Sequence, residues 1–410
     1  MKLLIPDPFS FPGGIETLNL ALINSLEKLA ERIVWVLPEY RINYFKSYLP
    51  PTDRLIYESF VFQDKSINRY IQAITNRLVR TNKKYNSQFG KSLNDWLLAI
   101  LHKQRLEFLI KKYHITHCLY TWIPDQSFPG LSVNTAGIIL DLNWHIFPEN
   151  FRESANRLDE KLQQWLKQAS VLFAISRSVY DEVAVFSPQF SSKVKVVPLA
   201  HESFVQNIQA IDDSSNISPP VFYYPASALN HKNHYTLFQA VFKLAQKGLE
   251  FELVLTGSNT HDLISDSPSL APEVERCRQF YHRNFETLAS CVKALGRVDR
   301  LVVDSLYQTC RCVVIPTRYE GFGLPLVEAL SWGTPVICSE IAPLRDQVEL
   351  YHCHDLVHFF PVDDVEALAS SMAAMITENS VVRLRPQEVQ QRLQRWTWND
   401  VARDYILEMM

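Results

Sequence analysis

The stretch Pro316-Thr-Arg-Tyr-Glu-Gly-Phe-Gly-Leu-Pro-Leu-Val-Glu-Ala-Leu-Ser-Trp-Gly-Thr-Pro335 reads as a loop that turns into a helix. Gly321 and Gly323 give the loop the backbone freedom to approach a ligand closely. Pro325 suits the first helical turn, where its missing N–H is not needed. Gly333 fits the position just past the last turn. Such a loop feeding a helix N-terminus is an anion seat, because free N–H groups and the positive end of the helix dipole converge there. Glu320 lies in the loop and Glu328 about one turn inside the helix. An anion seat flanked by two carboxylates suits a phosphorylated sugar.

Working outward, strand, loop and helix alternate along the chain. Lys2 to Pro6 is a short apolar strand, followed by a loop with paired glycines, Gly13-Gly14. Leu18, Leu22, Leu26 and Leu29 then recur at helical spacing before a second buried strand, Ile33 to Leu37. That unit favours a parallel sheet covered by helices on both faces. Two adjacent glycines do not make a dinucleotide fingerprint, so the Gly14 backbone is expected to meet a phosphate rather than a nicotinamide cofactor. Further strands are expected at His117 to Tyr120, Gly137 to Leu140, Val171 to Ile175 and Val194 to Pro198, with Ser176 capping a helix. Asp141, at the end of one of these strands, is either a turn residue or a carboxylate facing the cleft. Asp212 to Pro220 is a polar linker, and the alternation restarts at Val221 to Tyr224. Phe251 to Thr256, Ser290 to Leu295, Cys312 to Pro316 and Thr334 to Cys338 read as the second set of strands, and Gln387 to Met410 as a closing helix. The fold class is therefore α/β, with two doubly wound domains. The expected boundaries are 1–205 for the N-terminal domain, 206–220 for the linker, 221–385 for the C-terminal domain and 386–410 for the closing helix.

Composition excludes several classes. The 410 residues suffice for two cores, and a net charge of −3 gives no general case for a nucleic-acid partner. Seven scattered cysteines suit free buried thiols in a reducing, cytoplasmic compartment. His352-Cys-His354 resembles a metal fragment but brings no further ligands, so no metal site is expected. The segment 66–112 holds ten Lys or Arg residues against Asp95 and Glu107. It reads either as a solvated basic face over an ordinary core or as an amphipathic surface suited to anionic lipid on the inner membrane face.

Glu320-Gly-Phe-Gly-Leu-Pro-Leu-Val-Glu328 followed by Gly333-Thr-Pro-Val336 resembles the signature of the retaining GT-B glycosyltransferases, family four in particular. The likeness extends to Gly13-Gly14, Ala169 to Val179, Val196-Val-Pro198, Lys232-Asn233, Gly296-Arg-Val298 and Trp398. It implies a GT-B fold with two Rossmann-like domains facing across a cleft, and a closing helix that returns to the N-terminal domain. It further implies a transferase that moves a hexose, glucose above all, from a UDP-sugar to a saccharide or lipid-linked acceptor without metal or other cofactor. Lys232 and the loop amides near Gly323 and Leu324, with Gly14 opposite, would hold the diphosphate, and Gly13, Gly321 and Phe322 would belong to the same donor site. Glu320 would bind the transferred sugar, Glu328 the ribose, and Arg297 and Val298 the base, with Asp141 beside the reacting centre. Two positions depart from the family pattern. Ser227 stands where an arginine is common, leaving Arg318, Arg297 or His231 to supply that charge, and Leu140 stands where a histidine is common. A nucleotide-sugar epimerase, a sucrose-type synthase or a non-catalytic sugar-binding subunit are the competing readings.

Overall fold

The computed structural model describes residues 1–7, 14–60, 88–123, 127–151, 154–201, 219–269, 271–378 and 383–410, with side chains for all of these except Gly14 and 88–98. Gly13, most of the linker and much of the basic segment 66–112 lie outside the described residues.

Two parallel sheets make up the fold. In the first, β1 (Lys2–Pro6), β2 (Arg32–Leu37), β3 (Leu55–Ser59), β4 (His117–Tyr120), β5 (Asn134–Ile139), β6 (Val171–Ala174) and β7 (Val194–Val196) lie in the order β3-β2-β1-β4-β5-β6-β7. In the second, β8 (Val221–Pro225), β9 (Glu252–Thr256), β10 (Val292–Ala294), β11 (Cys312–Ile315), β12 (Val336–Ser339) and β13 (Val357–Phe360) lie in the order β10-β9-β8-β11-β12-β13. The strands are near-continuous apolar runs because both of their faces are covered by helices. Ile33 to Leu37 and Cys312 to Ile315, for example, are fully buried. Each order reverses once, between β1 and β4 and between β8 and β11. In a doubly wound sheet the crevice for a ligand opens beyond the strand C-termini at this switch point. Gly14 follows β1, Lys232 follows β8 and Glu320 follows β11. Topology alone thus brings these three loops to the crevices.

Two strands escape the sequence pattern. Leu55–Ser59 contains Glu58, which suits a loop, but the carboxylate is buried by Arg105 at 2.8 Å, Lys112 at 2.8 Å and the Tyr113 hydroxyl at 2.5 Å. Val357–Phe360 is a four-residue edge strand interrupted by the exposed His358. The same Glu58 cluster corrects part of the basic-face reading, because Arg105 is buried against this acid and Lys112, though exposed, is paired with it, while Lys103 and Lys111 are exposed. The expected strand Ser290 to Leu295 shortens to three residues and Val194 to Pro198 ends at Val196.

The closing helix is two helices, Pro386–Leu393 and Trp398–Met409. Thr397 separates them: its side chain accepts from the Asp400 amide while Asp400 accepts from the Thr397 amide at 2.9 Å, a reciprocal cap that starts a new helix. The second helix packs on Gly14–Leu29 of the N-terminal domain. Its Tyr405 lies 4.3 Å from Phe173 of β6, ring centre to ring centre, and Trp396 donates to the Pro198 carbonyl at 3.0 Å. Burying one such aromatic side chain is worth about 1.5–3 kcal/mol, which ties the chain end to the first domain.

Candidate active site

Lys232 ends a short turn, Asn230–Lys232, and the residue after it carries the turn into a helix. Asn233 adopts φ 59°, a left-handed conformation its short polar side chain tolerates. It is fully buried, donating to the Pro316 carbonyl at 2.9 Å and to Asp363 at 3.0 Å, and accepting from Thr236 at 2.8 Å. Arg318 donates its amide to the His231 carbonyl at 2.7 Å, and the Thr317 hydroxyl lies 2.9 Å from the same oxygen. The Lys232 turn and the loop after β11 are thus stitched into one piece. From that piece Lys232 Nζ reaches both carboxylate oxygens of Glu320 at 2.7 Å.

The loop continues through Gly321, buried Phe322 and Gly323 into the helix Leu324–Ser331. Gly323 has φ 96°, and a Cβ there would meet Leu344 Cδ2 at 2.4 Å. Buried Gln347 donates to the carbonyls of Phe322 and, at 3.1 Å, Gly323. In a trans peptide the N–H points opposite to the C=O, so this grip turns the Gly323 and Leu324 amides to the other side of the loop. Glu328, one turn on, accepts from Arg300 at 3.0 Å and from the Tyr307 hydroxyl at 2.7 Å. Two donors orient the carboxylate and leave it acceptor capacity for a bound hydroxyl pair.

The N-terminal domain supplies the opposing wall. A Cβ on Gly321 would lie 1.9 Å from the Leu140 carbonyl oxygen and 3.1 Å from Asp141 Cβ, so the two domains touch through backbone here. Asp141 accepts from the Asn143 amide at 3.1 Å. Burial raises its carboxyl above the usual range, and Glu320 adds to this, against the Asn143 hydrogen bond and Lys232. Asp141 thus lies within electrostatic reach of the Lys232–Glu320 pair. Asn143 Nδ2 lies 3.4 Å from His231 Nδ1, a second polar contact between the domains.

Arg297 and Val298 follow β10, where Gly296 accepts from the Gly257 amide at 2.8 Å and Arg297 donates to Ser258 at 2.8 Å. Gly14 opens the helix Gly14–Leu29, and Glu16 of its first turn is held by Arg41 and Tyr44. Two of the three residues expected to replace the missing arginine are spent elsewhere. Arg318 pairs with Asp363 at 2.7 Å, and burial with the neighbouring Lys232 pushes His231 down to about 3, so it is neutral. His145, five residues beyond Leu140, lies against Asp159 and Phe186. His352 caps a helix and meets Arg395, Cys353 is buried, and His354 faces Glu349, so the triplet is structural.

Several participants carry no sequence signal. Arg300 and Tyr307 set Glu328, Gln347 sets the glycine loop, and Tyr319 bridges the domains, donating to Glu182 at 2.8 Å and accepting from the Leu142 amide at 2.9 Å. Burial raises the Glu182 carboxyl to about 7, with Asp141 adding to it and the Tyr319 hydrogen bond opposing.

Residues 207–393 match the family described as glycosyl transferases group 1. O-antigen chain mannosyltransferase B of Escherichia coli is 34% identical over 89 residues, 22% of each chain. The serotype-specific mannosyltransferase WbdA of E. coli is 25% identical over 274 residues, 64% of this chain and 31% of that protein. The chain thus spans less than a third of the length of these relatives. HepE of Anabaena, solved in complex with UDP and glucose, is similar over 99% of this chain and 98% of its own, with a TM-score of 0.62 at 16% identity, a likeness of fold.

Proposed function

We propose that the chain, whose residues 207–393 match the family of group 1 glycosyl transferases, moves a hexose from a nucleotide-sugar to a saccharide or lipid-linked acceptor in glycan synthesis. The observation that carries the proposal is the single constellation of Lys232, Glu320 and Asp141, gathered at the C-terminal edges of two facing sheets. Breaking the bond between the anomeric carbon and the diphosphate leaves negative charge on the diphosphate. Lys232, now paired with Glu320, and the helix opening at Gly323 would receive it. Donor arrival would share Lys232 between phosphate and Glu320, freeing carboxylate lone pairs for the sugar hydroxyls. Glu328, set by Arg300 and Tyr307, would take the ribose hydroxyls. Charge stabilisation by a lysine and helix amides supports a metal-independent route. The family resemblance supports retention at the anomeric carbon.

UDP-glucose is the proposed donor, supported by HepE's bound UDP and glucose in a similar fold. Mannose is the competing sugar, because the relatives named above are mannosyltransferases. The 66–112 segment, with Lys103, Phe108 and Lys111 exposed on its helix, is the proposed contact with a cytoplasmic anionic membrane face. Among the described residues no helix is long and apolar enough to cross a membrane. Nucleotide release from UDP-glucose, GDP-mannose and other donors, read with and without saccharide acceptors, tests the proposal. Release of UDP from UDP-glucose with product retaining the anomeric configuration is expected. No release from any donor and no UDP binding by calorimetry would refute it.

A further inference from the structure

Tyr319 stands next to Glu320 in sequence but reaches out of its own domain. Its hydroxyl donates to Glu182 Oε2 at 2.8 Å and accepts from the Leu142 amide at 2.9 Å, both in the N-terminal domain. The residue is almost fully buried, and Phe147 of the N-terminal domain packs its ring edge-on at 5.9 Å. Glu182 is fixed in turn by the helix Arg177–Phe186, which Ser176 caps. On its own side, the Tyr319 carbonyl accepts from the Thr317 hydroxyl at 2.8 Å, and that hydroxyl also lies against the His231 carbonyl. The backbone of Tyr319 is thus tied to the turn that carries Lys232. One rigid piece holds Lys232 and Glu320, and its projecting side chain is bonded to the loop that carries Asp141.

We propose that Tyr319 is a positioning residue, a latch whose bonds to Glu182 and Leu142 hold the domains closed and set the Lys232–Glu320 pair against Asp141. The inference rests on the glycosyl-transfer reading for its catalytic consequence but not for its structural one. A latch of this kind spends its hydrogen bonds only in the closed state. Removing it should therefore spare donor binding to the C-terminal domain and impair the step that needs both domains.

The test compares Tyr319→Phe, Glu182→Gln, Glu182→Leu and the double variant Tyr319→Phe/Glu182→Leu, each checked for a cooperative thermal melt. Glutamine retains an oxygen that accepts from the tyrosine, whereas leucine does not. Tyr319→Phe and Glu182→Leu are expected to lower kcat by about 10- to 100-fold with donor KM within about threefold. Glu182→Gln should stay within about threefold of wild type, and the double variant should be no worse than either single by more than about twofold. Small-angle X-ray scattering gives a second readout: the two latch-breaking singles should have a larger radius of gyration than wild type and Glu182→Gln. Unchanged scattering in Tyr319→Phe overturns the latch whatever its turnover. Expanded scattering with wild-type kcat overturns the positioning role, and multiplicative losses in the double variant overturn the shared bond. A wild-type protein that turns over no donor defeats the glycosyl-transfer reading instead, while the scattering comparison still decides the latch.

Discussion

Gly321→Ala is a single-methyl wedge between the domains. The residue does not occupy the left-handed region, so alanine is compatible with the backbone and the contact itself is the perturbation. The new Cβ would sit 1.9 Å from the Leu140 carbonyl oxygen and 3.0 Å from its carbon. Ordinary non-bonded separations are roughly 3.5 Å, so one wall must retreat by about 1.5 Å. Neither wall is a flexible side chain: one is the backbone of the loop carrying Asp141, the other the loop carrying Glu320. Retreat by hinge opening is the cheaper response, since forcing a methyl into a packed core costs about 1–3 kcal/mol. A displacement of about 1 Å at a reacting centre costs on the order of 100-fold in rate. Gly321→Ala should thus lose about 100-fold in kcat, keep its UDP Kd within about threefold and shift Tm by less than about 3 °C. Stopped turnover assays, calorimetric UDP titration and differential scanning calorimetry read the three quantities. A variant with wild-type kcat would refute the claim that these loops must meet. One that loses UDP affinity in proportion to kcat would show the wedge acting within the donor domain instead.

Three further outcomes follow from the site. Lys232→Met leaves Glu320 almost fully buried beside Asp141 without its cation, so stability should fall by about 3 kcal/mol and UDP affinity by at least tenfold, read by denaturant unfolding and calorimetry. Glu328→Gln should cut the preference for UDP over its 2′-deoxy analogue about tenfold if the carboxylate set by Arg300 and Tyr307 takes the ribose as proposed; an unchanged preference in competition binding removes Glu328 from that role. Glu182 binds a proton more tightly when folded, at about 7, than its ordinary value of 4.5 allows in the unfolded chain. Between those two values the folded state holds more protons, so this group's contribution falls as pH rises and levels off above about 7. With its partial exposure the loss is about 1–2 kcal/mol. Glu182→Gln should therefore gain Tm relative to wild type at pH 8 and not at pH 4; an equal difference at both would contradict the assignment.

The parallel alternation, the two sheets and the loop that turns into the helix Leu324–Ser331 are all legible in the chain. The reason is local: a strand buried on both faces must be an apolar run, as at Ile33 to Leu37, and a helix start and stop have their own chemistry, as at Pro325 and Gly333. Glu320 in the loop and Glu328 one turn into the helix follow from that same local geometry. Strand Leu55–Ser59 was obscured because Glu58 is polar, and only partners 47 to 55 residues away make its burial tolerable.

What tertiary structure alone decided is which charges face the cleft. Arg318, close to Glu320 in sequence, is taken by Asp363, and His231, next to Lys232, is buried and neutral. Glu328 owes its orientation to Arg300 and Tyr307, and Tyr319 finds Glu182 across 137 residues of chain. Backbone chemistry acts over one turn or one strand and leaves its trace in neighbouring residues. A hydrogen bond between side chains acts over 3 Å of space, and only the packing of the two sheets determines which residues come within that distance.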